Sequence, residues 1–330
     1  MKNFEYAQPR TEAEALGLLS SAAGQTALLA GGTDLVGLMK RMVETPDRVV
    51  NIAEIDSLRQ LEHDGLNNLW IGAAVHLDEF LEDAFTDPYP AVKQVIQGIS
   101  SIQLQSQGTI GGELLRRPVC WYFRDGHGLL AQRGRMVVDG DNRFHAILGN
   151  RGAAKFVSAS RLAPALISLG ARVRIAGPGP EDEQLVDLET LYSTPRNDND
   201  RETVLLPNQL LTHVILPPVQ GHLSAAYEVR HGEGPDQPLA AAAATLQVVR
   251  GTVRQAKVVL GQVAPIPWIS REAARVLVGK QLSEETAKMA SIEALAGAMP
   301  LSDNEYKIQL AETAVKRAIL RAAGMDTGGF

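Results

Sequence analysis

Two glycine pairs constrain this 330-residue chain more than any other feature. The first is Ala30-Gly31-Gly32-Thr33-Asp34, after Ala27-Leu28-Leu29; the second is Thr109-Ile110-Gly111-Gly112-Glu113. A residue with no Cβ lets its backbone N–H approach an anion closely. The N–H groups of such a turn form a concave anion site, aided by the dipole of a helix that follows. Thr33 and Thr109 add hydroxyl donors. Two such turns, about 80 residues apart, could grip the two phosphates of a dinucleotide from two subdomains. The plain alternative is that each pair is only a turn. Neither pair has the spacing of a Rossmann fingerprint or a Walker loop.

The pattern around the first pair reads as a small α/β unit over residues 1–55. Thr11-Glu12-Ala13-Glu14 has the form of a capping box, and Leu16, Leu18 and Leu19 give the helix an apolar face. Gly24 is placed to end that helix as a left-handed cap. Ala27 to Ala30 reads as a buried strand, Asp34 to Met42 as a second helix, and Val49 to Ile52 as the next strand. Trp70 to Ala73 predicts a strand, His76 to Ala84 a helix, and Ala91 to Ile99 another. Residues 113–150 have few regular apolar repeats. A loop of that length inside a compact domain points to function or to a partner contact. Order is expected again from Lys155, with a helix over 161–169 and a strand at 172–175. Pro217-Pro218 marks the best boundary, because proline stops both helices and central strands. Beyond it, strands at 246–249 and 257–260 flank Arg250-Gly251-Thr252, and helices are expected near 270–279, 284–298 and 303–323. The units are therefore 1–55, 56–217 with the long insertion 113–150, and 218–330.

Several function classes drop out on composition. A formal net charge of -6 without Lys/Arg clustering gives no footprint for nucleic acid. One cysteine, Cys120, excludes an internal disulfide, and it excludes an iron–sulfur cluster held by this chain alone, which needs about four thiolates. His231-Gly232-Glu233 lacks zinc-helix spacing, so no metal ligand is expected. The start, Met1-Lys2-Asn3-Phe4-Glu5-Tyr6, is not a signal peptide, and no stretch approaches a bilayer span. A cytoplasmic protein is expected, or one exported with a signal-bearing partner.

An ordered set of segments resembles the flavin-binding medium subunit of the molybdenum hydroxylases, the xanthine dehydrogenase, carbon monoxide dehydrogenase and aldehyde oxidoreductase family. Leu29-Ala30-Gly31-Gly32-Thr33-Asp34-Leu35 is similar to that family's first FAD loop, and Thr109-Ile110-Gly111-Gly112 to its second. Asp47 to Ile52, Ile71-Gly72-Ala73, Leu162 to Leu166, Arg201 to Leu205 and Val214 to Pro218 resemble its intervening segments. Val258 to Trp268 resembles its C-terminal signature. The resemblance implies an α+β fold: a two-subdomain FAD-binding domain of the vanillyl-alcohol-oxidase-like (PCMH) type, then a C-terminal domain with a small antiparallel sheet and helices. It implies FAD contacts at Leu28, Leu29, Ala30, Gly31, Gly32, Thr33, Asp34 and Leu35, at Ser101, and at Thr109, Gly111, Gly112 and Glu113. It implies a large molybdenum-cofactor subunit and a small [2Fe-2S] subunit as partners, in a heterotrimer or a dimer of heterotrimers. Electrons would pass from the partner's clusters through FAD to an external acceptor, and no acid or base in this chain would be catalytic.

The chain departs from the family pattern in places. Residues 116–124 and 141–147 resemble the ends of an insertion that carries a four-iron cluster in aldehyde oxidoreductases, but only Cys120 is present, and it reads as a small buried side chain. Glu113 stands where Asn usually follows the second glycine pair, and Gln105-Ser106 where an Arg-Asn pair often stands. Arg161 replaces an Asp that meets the flavin, and Tyr227-Glu228-Val229-Arg230 replaces a tyrosine-and-lysine element. A carboxylate 4 Å from a pyrophosphate costs about 1–4 kcal/mol, depending on screening. Arg161 turned toward the phosphates would offset Glu113. Asp34 is expected to contact the cofactor or cap its helix, and Tyr192 to flank the flavin ring or sit as an ordinary half-buried aromatic. A subunit that has lost flavin and serves assembly remains the alternative. A free-standing flavin oxidase would need its own base in a substrate pocket, and no such constellation is visible.

Overall fold

The chain starts as a β-α-β-α-β run: β1 (Glu5–Ala7), α1 (Glu12–Leu18), β2 (Thr26–Leu29), α2 (Leu35–Lys40) and β3 (Arg48–Asn51). In a computed structural model, which describes every residue except 180, 233, 235 and 329–330, these strands form a parallel sheet of order β1-β3-β2. Glu233 of the His-Gly-Glu triplet thus lies outside the described residues. Thr11 caps α1, its Oγ1 accepting the Glu14 N–H at 3.2 Å. The Glu14 carboxylate accepts from the Arg10 N–H at 2.7 Å, so the expected box closes one residue early. The helix stops at Leu18 because Leu19 is already extended. Gly24, at φ +80°, serves the later turn into β2 and does not cap α1, a correction to the sequence reading.

The middle of the chain supplies β4 (Leu61–His63), β5 (Leu69–Gly72), α3 (Leu77–Glu82), α4 (Pro90–Gln97), α5 (Ile102–Gln107), α6 (Ile110–Leu114), α7 (Trp121–Arg124), α8 (Arg135–Asp139), α9 (Leu162–Ser168), β6 (Arg172–Ala176), β7 (Glu183–Asp187) and β8 (Leu210–Leu216). Its five strands make an antiparallel sheet of order β4-β5-β8-β6-β7. Helices α3, α4, α6 and α9 bury their apolar faces in one core with this sheet. The short helices α5 and α6 were not legible in the sequence.

The last third contains β9 (His222–Val229), β10 (Ala240–Val249), β11 (Thr252–Gly261), β12 (Trp268–Ile269), α10 (Arg271–Leu277), α11 (Glu284–Ala294) and α12 (Tyr306–Ala322). The strands form an antiparallel sheet of order β12-β11-β10-β9. Arg250 and Gly251 turn the β10–β11 hairpin with φ +51° and +78°, the left-handed pair that matches strand twist. This sheet is buried on both faces. Ala240, Ala242 and Ala244 point into the core shared with α10–α12, while Ala243 and Val259 point into the core shared with α4 and α9. The run Ala240–Ala244 is therefore strand despite alanine's helical preference, since small side chains let helices lie close on both sides.

Residues 113–150 are not a bare loop. Cys120, Phe123, Leu129, Leu130, Ala154 and Phe156 bury one another against Leu38 of α2. Farther along, Asn142 donates to Ser302 Oγ at 2.8 Å, and Lys307 donates to the carbonyls of Phe144, His145 and Gln262 at 3.2, 3.2 and 2.7 Å. The insertion thus fastens the first sheet's helix to the C-terminal helices. Among the described residues, no helix is long and apolar enough to cross a membrane.

Candidate cofactor site

The two glycine turns meet. Gly31 lies so close to the end of α5 that a Cβ built on it would stand 1.6 Å from the Gln107 carbonyl oxygen. Gly32 has φ +71°, a conformation that other residues rarely adopt. Between the turns opens a cleft of about 290 Å³. Its wall includes Leu28, Ala30, Gly31, Gly32, Thr33, Asp34 and Leu35 from the first turn, and Thr109, Gly111 and Gly112 from the second. Leu29, Ser101 and Glu113 stand outside that lining. Ser101 instead caps α5, its Oγ accepting the Leu104 N–H at 3.3 Å.

The turns differ in what they offer an anion. In the second, the Ile110 N–H donates to Val75 O at 3.0 Å, Gly111 to Ala73 O at 2.8 Å, Gly112 to Thr109 Oγ1 at 3.1 Å and Glu113 to Thr109 O at 2.9 Å. Those amides are engaged. In the first turn, Val36 N–H reaches Gly32 O at 3.3 Å, but the amides of Gly31, Gly32, Thr33, Asp34 and Leu35 have no acceptor among the described residues. Amides left free at a cleft wall are donors available to a bound anion. The expectation that both turns donate through their amides is corrected: the first turn carries the free donors, and the second shapes the wall. Since α2 has only six residues, the amides matter more than any helix dipole.

Charged side chains line the rest of the cleft. Arg117 pairs with both Glu44 and Glu202, and Arg201 lies 3.6 Å from Glu44. Arg116 Nη1 donates to Glu113 at 3.1 Å, while buried Arg116 Nε and Glu202 Oε2 have no partner among the described residues. Leu19, Leu205, Leu206 and Leu210 supply apolar wall. The sequence contained these residues but gave no sign that they share a cleft, because the contacts span 73 and 85 positions. Free amides, unsatisfied polar atoms and apolar wall in one cleft fit a nucleotide with a charged diphosphate.

Residues 2–219 match the FAD binding domain in molybdopterin dehydrogenase, and residues 225–322 the CO dehydrogenase flavoprotein C-terminal domain. The chain belongs to the FAD-binding subunits of the molybdopterin dehydrogenases. It is 30% identical over 328 residues to the aldehyde oxidoreductase FAD-binding subunit PaoB of Escherichia coli K12, covering 98% of this chain and 99% of that one. It is 28% identical to the carbon monoxide dehydrogenase medium chain of Afipia carboxidovorans, over 97% and 96% of the two chains. In fold it is similar to the cyanide-inactivated Cu,Mo-CO dehydrogenase crystal structure, with TM-score 0.77 at 24% identity over 98% and 99% of the chains. FAD is the cofactor of this family of subunits, and the chain is an oxidoreductase subunit.

Three of the positions at which this flavoprotein subunit departs from its family, Glu113, Arg161 and Glu228, are explained by pairing. Arg161 does not turn toward the first turn. It is buried and forks onto Glu228 of β9, with Nε 2.9 Å from Oε1 and Nη2 against Oε2. The two altered positions thus neutralise each other across the junction of the middle and C-terminal sheets. Glu113 is likewise buried and held by Arg116, so neither residue plugs the cleft. Asp34 makes no side-chain bond to its own helix, so its expected capping role is also corrected. Tyr192 is absent from the lining; its hydroxyl donates to Leu114 O at 3.0 Å, and burial pushes its phenol up. Cys120 is buried, with its Sγ 3.1 Å from His145 Nε2, and burial pushes the thiol up. Among the described residues, no three His, Cys, Asp or Glu side chains gather as metal ligands.

Proposed function

We propose that the amides of residues 31–35 hold the FAD diphosphate and that the chain works as the electron-transfer subunit of a molybdenum hydroxylase. The observation that carries this reading is the row of unpartnered amides in a cleft closed on its other side by the second turn. Thr33 and Thr109 line the same wall, and Arg116 and Arg201 are cations on its surface. Leucines from α1's end and from the strap before β8 supply apolar surface for a flat ring and exclude water from it. When bound, FAD supplies the exchange between one- and two-electron chemistry that links iron–sulfur clusters to an external acceptor. The protein's own part is position and electrostatics; no side chain in the cleft is asked to move a proton.

The partners in this reading are a large molybdenum-cofactor subunit and a small [2Fe-2S] subunit, as a heterotrimer or a dimer of heterotrimers. A visible spectrum of the purified full-length chain or complex tests it. Flavin absorption, with the chromophore extractable as FAD, is expected for a bound flavin. A fully assembled complex that releases no FAD on denaturation would leave an assembly subunit in its place.

A further inference from the structure

We infer that Arg124 of the insertion is a positioning residue for the diphosphate turn, acting by neutralising and fixing Asp34. The inference rests on the reading of residues 31–35 as the FAD diphosphate site. Asp34 belongs to that turn and lines the cleft, so its carboxylate stands among the donors meant for an anion. Left alone, it would repel the diphosphate that those amides attract.

Both carboxylate oxygens are taken by the insertion. Asp34 Oδ1 accepts from Arg124 Nη1 at 2.6 Å, and Oδ2 accepts from the Arg117 backbone N–H at 3.0 Å. Arg124 is itself fixed: its Nε donates to Pro118 O at 2.8 Å and its Nη2 to Arg117 O at 2.7 Å. The guanidinium and the carboxylate are each only about a sixth exposed, at 17% and 16%, so water screens the pair weakly. Arg117 anchors the other side, bonding Glu44 and Glu202 while its guanidinium lies 4.9 Å from the Phe123 ring centre. Phe123 and Cys120 in turn bury against Leu38 of α2. A segment with one cysteine and no metal-ligand cluster among its described residues therefore has a job in this chain. It fixes the turn's geometry and cancels the turn's one negative charge.

Full-length protein stripped of flavin and titrated with FAD tests this, using Arg124→Met, Asp34→Asn and the double variant. Arg124→Met should weaken FAD binding about tenfold, because it frees the Asp34 charge beside the diphosphate. Asp34→Asn alone should bind as tightly as wild type or tighter, and the double variant should return to within about threefold of Asp34→Asn. The Arg124→Met loss should shrink as salt rises, since screening weakens the repulsion. A purely structural role predicts neither the rescue nor the salt dependence. A double variant as weak as Arg124→Met, or Arg124→Met binding at wild-type strength, overturns the inference. Should Arg124→Met fail to fold, Asp34→Asn still decides, because a tenfold loss there would mean that the carboxylate is itself needed. Wild-type protein that takes up no FAD would overturn the proposed function and this inference with it, whereas a wild type that binds FAD with no response to Arg124→Met overturns this inference alone.

Discussion

Replacing Gly31 by alanine should break the cleft at the contact that makes it. The added Cβ would stand 1.6 Å from the Gln107 carbonyl oxygen and 2.7 Å from its carbonyl carbon, where real contacts stay beyond 3.0 Å. The obstacle is backbone, so no side-chain rotation relieves it, and the two turns must part by roughly 1.4 Å. Overpacking of a closely fitted site costs about 1–3 kcal/mol, and a backbone-to-backbone clash belongs at the upper end. A shift of that size also misaligns the free amides of residues 31–35. Loss of one hydrogen bond to a charged group is worth about 1.5–3 kcal/mol, which is at least tenfold in affinity. Gly17→Ala is the matched control: Gly17 lies in α1, nothing stands within 4 Å of its added Cβ, and alanine should be neutral or stabilise by about 0.5–1 kcal/mol. Thermal melts and FAD titration of both variants are the assay. Gly31→Ala with wild-type melting and wild-type FAD affinity would refute the claim that the two turns close one site.

Two further predictions concern buried charge. Arg161→Met would strand Glu228, whose side chain is only 8% exposed, and should cost about 3–5 kcal/mol in denaturant unfolding, whereas replacing both partners with apolar residues should recover most of that loss. The pKa of His145 is lowered to about 4, by burial first and then by the nearby Lys307 charge. Between about pH 6.5 and 4 the unfolded chain therefore binds a proton that the folded chain refuses, so stability is full above 6.5 and falls as pH drops through this window. From pH 6.5 to 5 the loss should be about 1.5 kcal/mol, and His145→Gln should flatten it; unfolding curves with equal pH dependence in both proteins would disprove the assignment.

Local chemistry was legible where it was local. The strands at 48–51, 69–72 and 172–176, the helix over 162–168 and the C-terminal helices all announce themselves by apolar spacing. The Ala240–Ala244 strand did not, because alanine carries no period signal; only burial between two helical layers decides it. The helices α5 and α6 are five or six residues long, too short for a periodic pattern to register.

The sequence by itself determined where glycine must be. At Gly32 the backbone turns left-handed, and at Gly31 a second backbone passes within contact distance, demands that no other side chain meets. The tertiary structure alone decided what the charges do. Glu113, Arg161 and Glu228 look like scattered departures in one dimension and Asp34 and Arg124 like unrelated matches, yet the five resolve into three pairs once Arg116 is counted. Coulomb energy depends on separation and screening, and two of the three pairings join residues 67 and 90 positions apart, a distance that only folding closes.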